Sequence, residues 1–125
     1  FVSADGAARS QMASAFAQFH AADRFDIRCG GVRPAGKISP AAVGAMRQKG
    51  IDLGFLRPEV LSAVMEGWTE PEVVVTIGNV DGLPAFAKVR TESWNLPSPA
   101  AEDAEAWQVL AEEIQGRVQK LTDSL

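Results

Sequence analysis

Ser3 and Arg9 stand six positions apart, joined by small residues and followed at once by Ser10: Ser3-Ala4-Asp5-Gly6-Ala7-Ala8-Arg9-Ser10. Phe1-Val2 before the run reads as the tail of a buried strand, and a helical pattern opens after it. A strand, a tight loop of small residues and a helix start together aim backbone N–H groups at an anion, and the helix dipole favours negative charge there. Arg9 would add a planar, permanently charged fork suited to phosphate or arsenate. Ser10 could donate a hydroxyl bond at the base of the loop. The chemistry these types suggest is oxyanion binding. On spacing alone the plainer reading is a solvated arginine at a helix start.

The remaining residues exclude more than they offer. Cys29 is the only cysteine and His20 the only histidine. One of each makes no internal disulfide, no dithiol relay and no metal-ligand cluster. Cys29 reads as a small buried hydrophobe and His20 as a helix-surface residue. Glu102, Asp103 and Glu105 read as a helix-start cluster, and Glu112-Glu113 as a solvated face. Net charge is −4, from 12 basic and 16 acidic residues, with no dense basic stretch. That argues against nucleic acid as the partner. No run of 18 apolar residues offers a membrane span, no signal peptide is visible, and a single thiol fits a reducing compartment, so the expectation is cytoplasmic.

The chain has 125 residues, 46% of them hydrophobic, which predicts one domain with its own core. It opens at Phe1 as if cut into a strand, so the first strand is expected to be truncated. Arg9-Ser10 begins a helix ending near Ala22, with Met12, Phe16 and Phe19 on its apolar face. Phe25, Ile27 and Cys29 alternate with Asp26 and Arg28, the period of a half-buried strand. Gly30-Gly31 and Pro34-Ala35-Gly36 read as loop. Ser39-Pro40 is an N-cap with proline at the first helical position; Val43 and Met46 carry that helix's core face and Gly50 closes it. Pro58 starts another helix, with Leu61, Val64, Met65 and Trp68 on one side. Val73, Val74, Val75, Thr76 and Ile77 predict a central parallel strand covered on both faces. Residues 78–84 read as a loop and 89–94 as a weaker strand. Trp107, Leu110, Ala111, Ile114, Val118 and Leu121 mark a last helix. Strands alternating with helices predict an α/β fold, a mostly parallel sheet with helices on both faces. Ligands in such folds bind beyond the carboxyl ends of the strands, where the 3–10 loop falls.

The run from Phe1 through Arg9-Ser10-Gln11-Met12-Ala13 resembles the start of the low-molecular-weight protein tyrosine phosphatase family, closest to its arsenate reductase branch. Further matches follow in the family's order: Gly31, Pro34-Ala35-Gly36, Pro40-Ala41-Ala42-Val43 with Met46, Gly50-Ile51-Asp52-Leu53, Arg57-Pro58 and the Val73 strand. Last come Val89-Arg90-Thr91-Glu92-Ser93-Trp94 and Leu96-Pro97-Ser98-Pro99. The resemblance covers essentially the whole chain. It implies a phosphotyrosine protein phosphatase I-like fold over residues 1–125, a four-stranded parallel sheet flanked by helices, with the first strand central. It implies an oxyanion site made of Ala4, Asp5, Gly6, Ala7, Ala8, Arg9 and Ser10, with no cofactor and no metal.

The resemblance also marks departures. The family's nucleophilic cysteine falls on Ser3, and a serine hydroxyl without a base stays protonated where a thiolate would attack. The family's bracing asparagine falls on Gly6. Asp5 puts a carboxylate into the loop, and a like charge about 4 Å from a bound anion costs roughly 1–4 kcal/mol. The general-acid position before Pro99 is Ser98, which removes a contribution of roughly 10²- to 10⁴-fold. Asn79 and Leu83 stand where the arsenate reductase branch is expected to carry further thiols. One deliberate change would account for Ser3 but not for Gly6, Asn79, Leu83 and Ser98 together. The resulting expectation is a pseudoenzyme, an arsenate reductase-like or phosphatase-like domain that keeps its oxyanion loop without turnover. Its partner would be phosphate, arsenate or a sulfate-like oxyanion, with a protein partner also open. Two alternatives stand: an active arsenate reductase or phosphatase with atypical residues, and a regulatory or protein-interaction module of a longer chain, using Trp68, Trp94 or Trp107.

Overall fold

The computed structural model describes residues 1–68, 70–83 and 89–125; Pro84, at the end of the loop expected over 78–84, lies outside them. The elements run β1 Val2–Ser3, α1 Arg9–Ala21, β2 Gly30–Gly31, α2 Pro40–Gln48, α3 Leu61–Val64, β3 Val73–Ile77, β4 Arg90–Trp94 and α4 Ala104–Asp123. All four strands are parallel, in the order β2-β1-β3-β4. This is the α/β sheet expected, with β1 inside it.

The β3 run shows why the sheet sits where it does. Successive strand residues point to opposite faces. Val75 and Ile77 join the larger core with Met12, Phe16, Met46, Trp107, Ile114 and Val118. Val74 turns the other way, into a smaller cluster with Val2 and Leu61. A strand that serves two cores must be apolar on both sides, which explains an unbroken β-branched run. On one edge β3 pairs with β4 along its length, from Val73 opposite Arg90 to Ile77 opposite Trp94. On the other edge it meets β1 at Val2 opposite Thr76.

The helix ends follow from local chemistry. Ser39 stands at the N-cap of α2 but makes no side-chain capping bond, Pro40 opens the helix, and Gly50 at φ +77° closes it. Gly50 N donates to Arg47 O and Ile51 N to Met46 O, which satisfies two terminal carbonyls. Asp103 caps α4 by accepting from Ala106 N at 3.1 Å. Among the described residues no helix is long and apolar enough to cross a membrane.

Three expectations need correction. The second strand lies at Gly30–Gly31, after the alternating residues Phe25, Ile27 and Cys29 that predicted it. A strand of two glycines carries no side-chain period to read. Glycine is needed because the 3–10 loop lies against it: a Cβ on Gly31 would stand 2.6 Å from Gly6 N. The helix expected from Pro58 to Trp68 is only the four residues of α3. Its first part is drawn to the sheet edge, where Glu59 O accepts from Gly31 N and Val60 bridges Gly31. Its last part turns at Gly67, and Trp68 Nε1 donates to Asp26 at 2.7 Å. Phe19, placed on the apolar face of α1, is 74% exposed. Met12, Phe16 and Ala13 already fill the space beneath that helix.

Candidate oxyanion site

The 3–10 loop leaves the carboxyl end of β1 and enters α1. Its carbonyls are bonded outward to the segment before α2. Arg33 N donates to Ala4 O, Ala35 N to Asp5 O and Ser39 N to Ala7 O, each at 2.9 Å. In a trans peptide the next N–H points opposite to the carbonyl, so the amides of Asp5, Gly6 and Ala8 turn inward. Gly6 N does so visibly, donating to Ser3 Oγ at 3.2 Å. Ser3 is 1% exposed, and its Oγ stands 2.7 Å from Ser10 Oγ in the first turn of α1. No side chain caps the start of α1, and no acidic residue sits in its first turn. The positive end of the helix dipole therefore faces the loop with no acidic side chain in the helix's own first turn.

Gly6 and Gly31 touch back to back. Gly6 holds φ +60°, and a Cβ on it would come 2.9 Å from Gly31 N. The loop is braced by Gln11, whose Nε2 donates to Gly6 O at 3.1 Å and to Arg57 O at 3.4 Å. Gln11 is 4% exposed. A polar residue on the buried side of an amphipathic helix was the sequence signal for this brace. Asp5 is exposed, and its Oδ1 accepts from Ala7 N at 3.0 Å. The carboxylate expected inside the loop thus faces outward and occupies one loop amide.

Arg9, half-buried, reaches across the sheet end. Its Nη1 donates to Leu96 O at 2.7 Å, beyond the end of β4. Gly78, directly after β3, lies so close that a Cβ there would stand 2.4 Å from Nη1. Neither Gly78 nor Leu96 carries a type or spacing that the sequence could have marked.

Ser98 is exposed, two residues past Leu96, so it lies near the Arg9 end of the site. Asn79 is exposed, and Leu83 packs on the smaller apolar cluster with Val2, Leu61 and Val74. Cys29 is half-buried, and burial pushes its thiol pKa up, a Ser14 hydrogen bond partly offsetting this. It stands two positions before Gly31, the ladder partner of Ser3, which places it roughly 6–7 Å back along the strand. His20 is half-buried at the far end of α1 beside Gln119. At the helical rise of about 1.5 Å per residue it is some 16 Å from Arg9. Of the three tryptophans offered as an apolar surface, Trp94 and Trp107 are core residues. Trp68 is held by Asp26 and covered by the Arg28 guanidinium at 4.2 Å.

The sequence profile of the low molecular weight phosphotyrosine protein phosphatases matches residues 1–125. The chain belongs to this phosphatase family. The relatives it resembles are arsenate reductases. It is 27% identical over 138 residues to the arsenate reductase of Bacillus licheniformis, covering 99% of this chain and 94% of that protein. It is 25% identical over 129 residues to arsenate reductase 1 of Staphylococcus haemolyticus, covering 100% and 94%. A solved arsenate reductase in the phosphate binding state shares the phosphatase-family fold, with a TM-score of 0.86 at 23% identity, over 99% of this chain and 95% of that one.

Proposed function

We propose that this phosphatase-family chain binds a tetrahedral oxyanion, phosphate, arsenate or sulfate, in the 3–10 loop and does not turn it over. The observation that carries this reading is the Ser3 hydroxyl. It lies buried where the loop converges, tied to Gly6 N and Ser10 Oγ, and the sequence resemblance aligns it with the family's nucleophile. A hydroxyl there needs a base to become a nucleophile. His20 is a helix length away, and Cys29 lies back along the sheet with its pKa raised. Binding asks less of the site: inward amides, an uncapped helix start and a guanidinium all favour an anion. The phosphate-bound relative supports the choice of ligand.

Calorimetry with phosphate, arsenate and sulfate tests the binding half. Binding at millimolar concentration or better, lost in Arg9→Ala, is expected. The other half is tested with an aryl phosphate, and with arsenate plus a thiol reductant. No turnover above background is expected. Turnover abolished by Arg9→Ala would instead make the chain an active enzyme with atypical residues.

A further inference from the structure

Arg9 is the cationic side chain of the proposed site, and two other segments decide where it lies. Gly78 follows β3 with φ +75°, and a Cβ built on it would meet Arg9 Nη1 at 2.4 Å, Nη2 at 2.8 Å and Cζ at 2.9 Å. The guanidinium therefore fills the space that a side chain at position 78 would take. On its other side Nη1 donates to Leu96 O at 2.7 Å. The Leu96 side chain is 6% exposed and packs in the larger core, so its carbonyl has a fixed position. One acceptor ties the two walls together: Trp94 O takes hydrogen bonds from Gly78 N at 2.9 Å and from Leu96 N at 3.0 Å.

We propose that Gly78 is a positioning residue for the oxyanion site, the absent side chain that seats Arg9 against the Leu96 carbonyl. The inference rests on the oxyanion reading above and names what controls it. A guanidinium has five N–H donors, and one bond to Leu96 leaves others for a ligand. The fork is planar and rigid, so tilting it by the width of a methyl group would misalign those donors as a set. A substitution at Gly78 would thus weaken anion binding without touching the anion.

The test is a cycle of Gly78→Ala and Arg9→Ala, read by phosphate calorimetry and by thermal unfolding. Gly78→Ala is expected to weaken phosphate binding roughly tenfold, as for a misplaced charge-assisted hydrogen bond. The positive φ at position 78 penalises alanine in any background, whereas the clash with the guanidinium exists only while Arg9 is present. The loss of Tm caused by Gly78→Ala should therefore be smaller in the Arg9→Ala background. A single variant that fails to fold while the double variant folds is the same result in stronger form. Equal losses of Tm in both backgrounds, failure to fold in both alike, or an unchanged phosphate Kd in Gly78→Ala would overturn the proposal. If the unmodified chain binds no phosphate, the oxyanion reading falls, while the Tm cycle still decides the seat of Arg9.

Discussion

The hydroxyls of Ser3 and Ser10 meet at 2.7 Å inside the 3–10 loop, with both side chains at or below 1% exposure. One ends a strand and the other begins a helix, so their bond closes the loop at its base. Gly6 N completes a small buried network on the Ser3 oxygen.

That network predicts a stability effect. Ser3→Ala leaves Gly6 N–H and the Ser10 hydroxyl without their partner, which should cost about 1–3 kcal/mol. Ser10→Ala should cost less, since Gly6 keeps its acceptor. Because both residues belong to one network, the double variant should cost less than the sum of the two. Urea unfolding of the four proteins checks this, and strict additivity would show that the hydroxyls act independently.

Ser3→Cys and Ser98→Asp together should give only weak aryl phosphate hydrolysis. Ser98 is exposed near the Arg9 end of the site, so a carboxylic acid there has room to serve a leaving group. Gly6 still offers no side-chain brace and Asp5 still carries its charge. A rate equal to that of an intact family enzyme would show that Gly6 and Asp5 do not matter.

Asp5 should act against the anion. Its carboxylate lies outside the loop but engages Ala7 N, one of the loop's own amides. Asp5→Asn keeps an oxygen acceptor for that amide and removes the charge. Phosphate affinity should rise roughly fivefold, as expected for one like charge at about 4 Å in water. Equal affinities by calorimetry would place the carboxylate too far from the ligand to matter.

Cys29 should behave as a burial-suppressed thiol. Burial raises its pKa in the folded chain above the value of a free thiol, about 8.5. A raised folded value means stability is fully present below the unfolded pKa and falls as pH climbs from there through the folded pKa. Above roughly pH 8.5 the chain should therefore lose stability faster than Cys29→Ser does. Alkylation at pH 8 should be slower in the folded chain than in urea. Equal alkylation rates would show an open thiol.

Much of the fold was legible because side-chain period and the placing of proline and glycine at helix ends are local. The Val73–Ile77 run, Ser39-Pro40 with Gly50, and the spacing from Trp107 to Leu121 each mark their element by residue type. Gly30–Gly31 were hidden because their task is to have no side chain where Gly6 presses against the sheet. The short α3 was hidden because a long-range bond from Gly31 to Glu59 overrides a local helical pattern. At the site, the 3–10 loop showed in the types and spacing of its own residues. Its controls did not: Leu96 acts through a backbone carbonyl and Gly78 through empty space, and neither has a residue type that announces it. The bond from Ala7 N to the exposed Asp5 carboxylate is a matter of geometry that residue types do not carry.

Whether the 3–10 loop holds an oxyanion is decided by titrating the isotope-labelled chain with phosphate and following the backbone amides. Saturable shifts concentrated in Ser3 to Ser10 at millimolar phosphate or below are expected, absent in Arg9→Ala, with no hydrolysis of an aryl phosphate by the same sample. No response in those amides, or shifts that persist unchanged in Arg9→Ala, would contradict it.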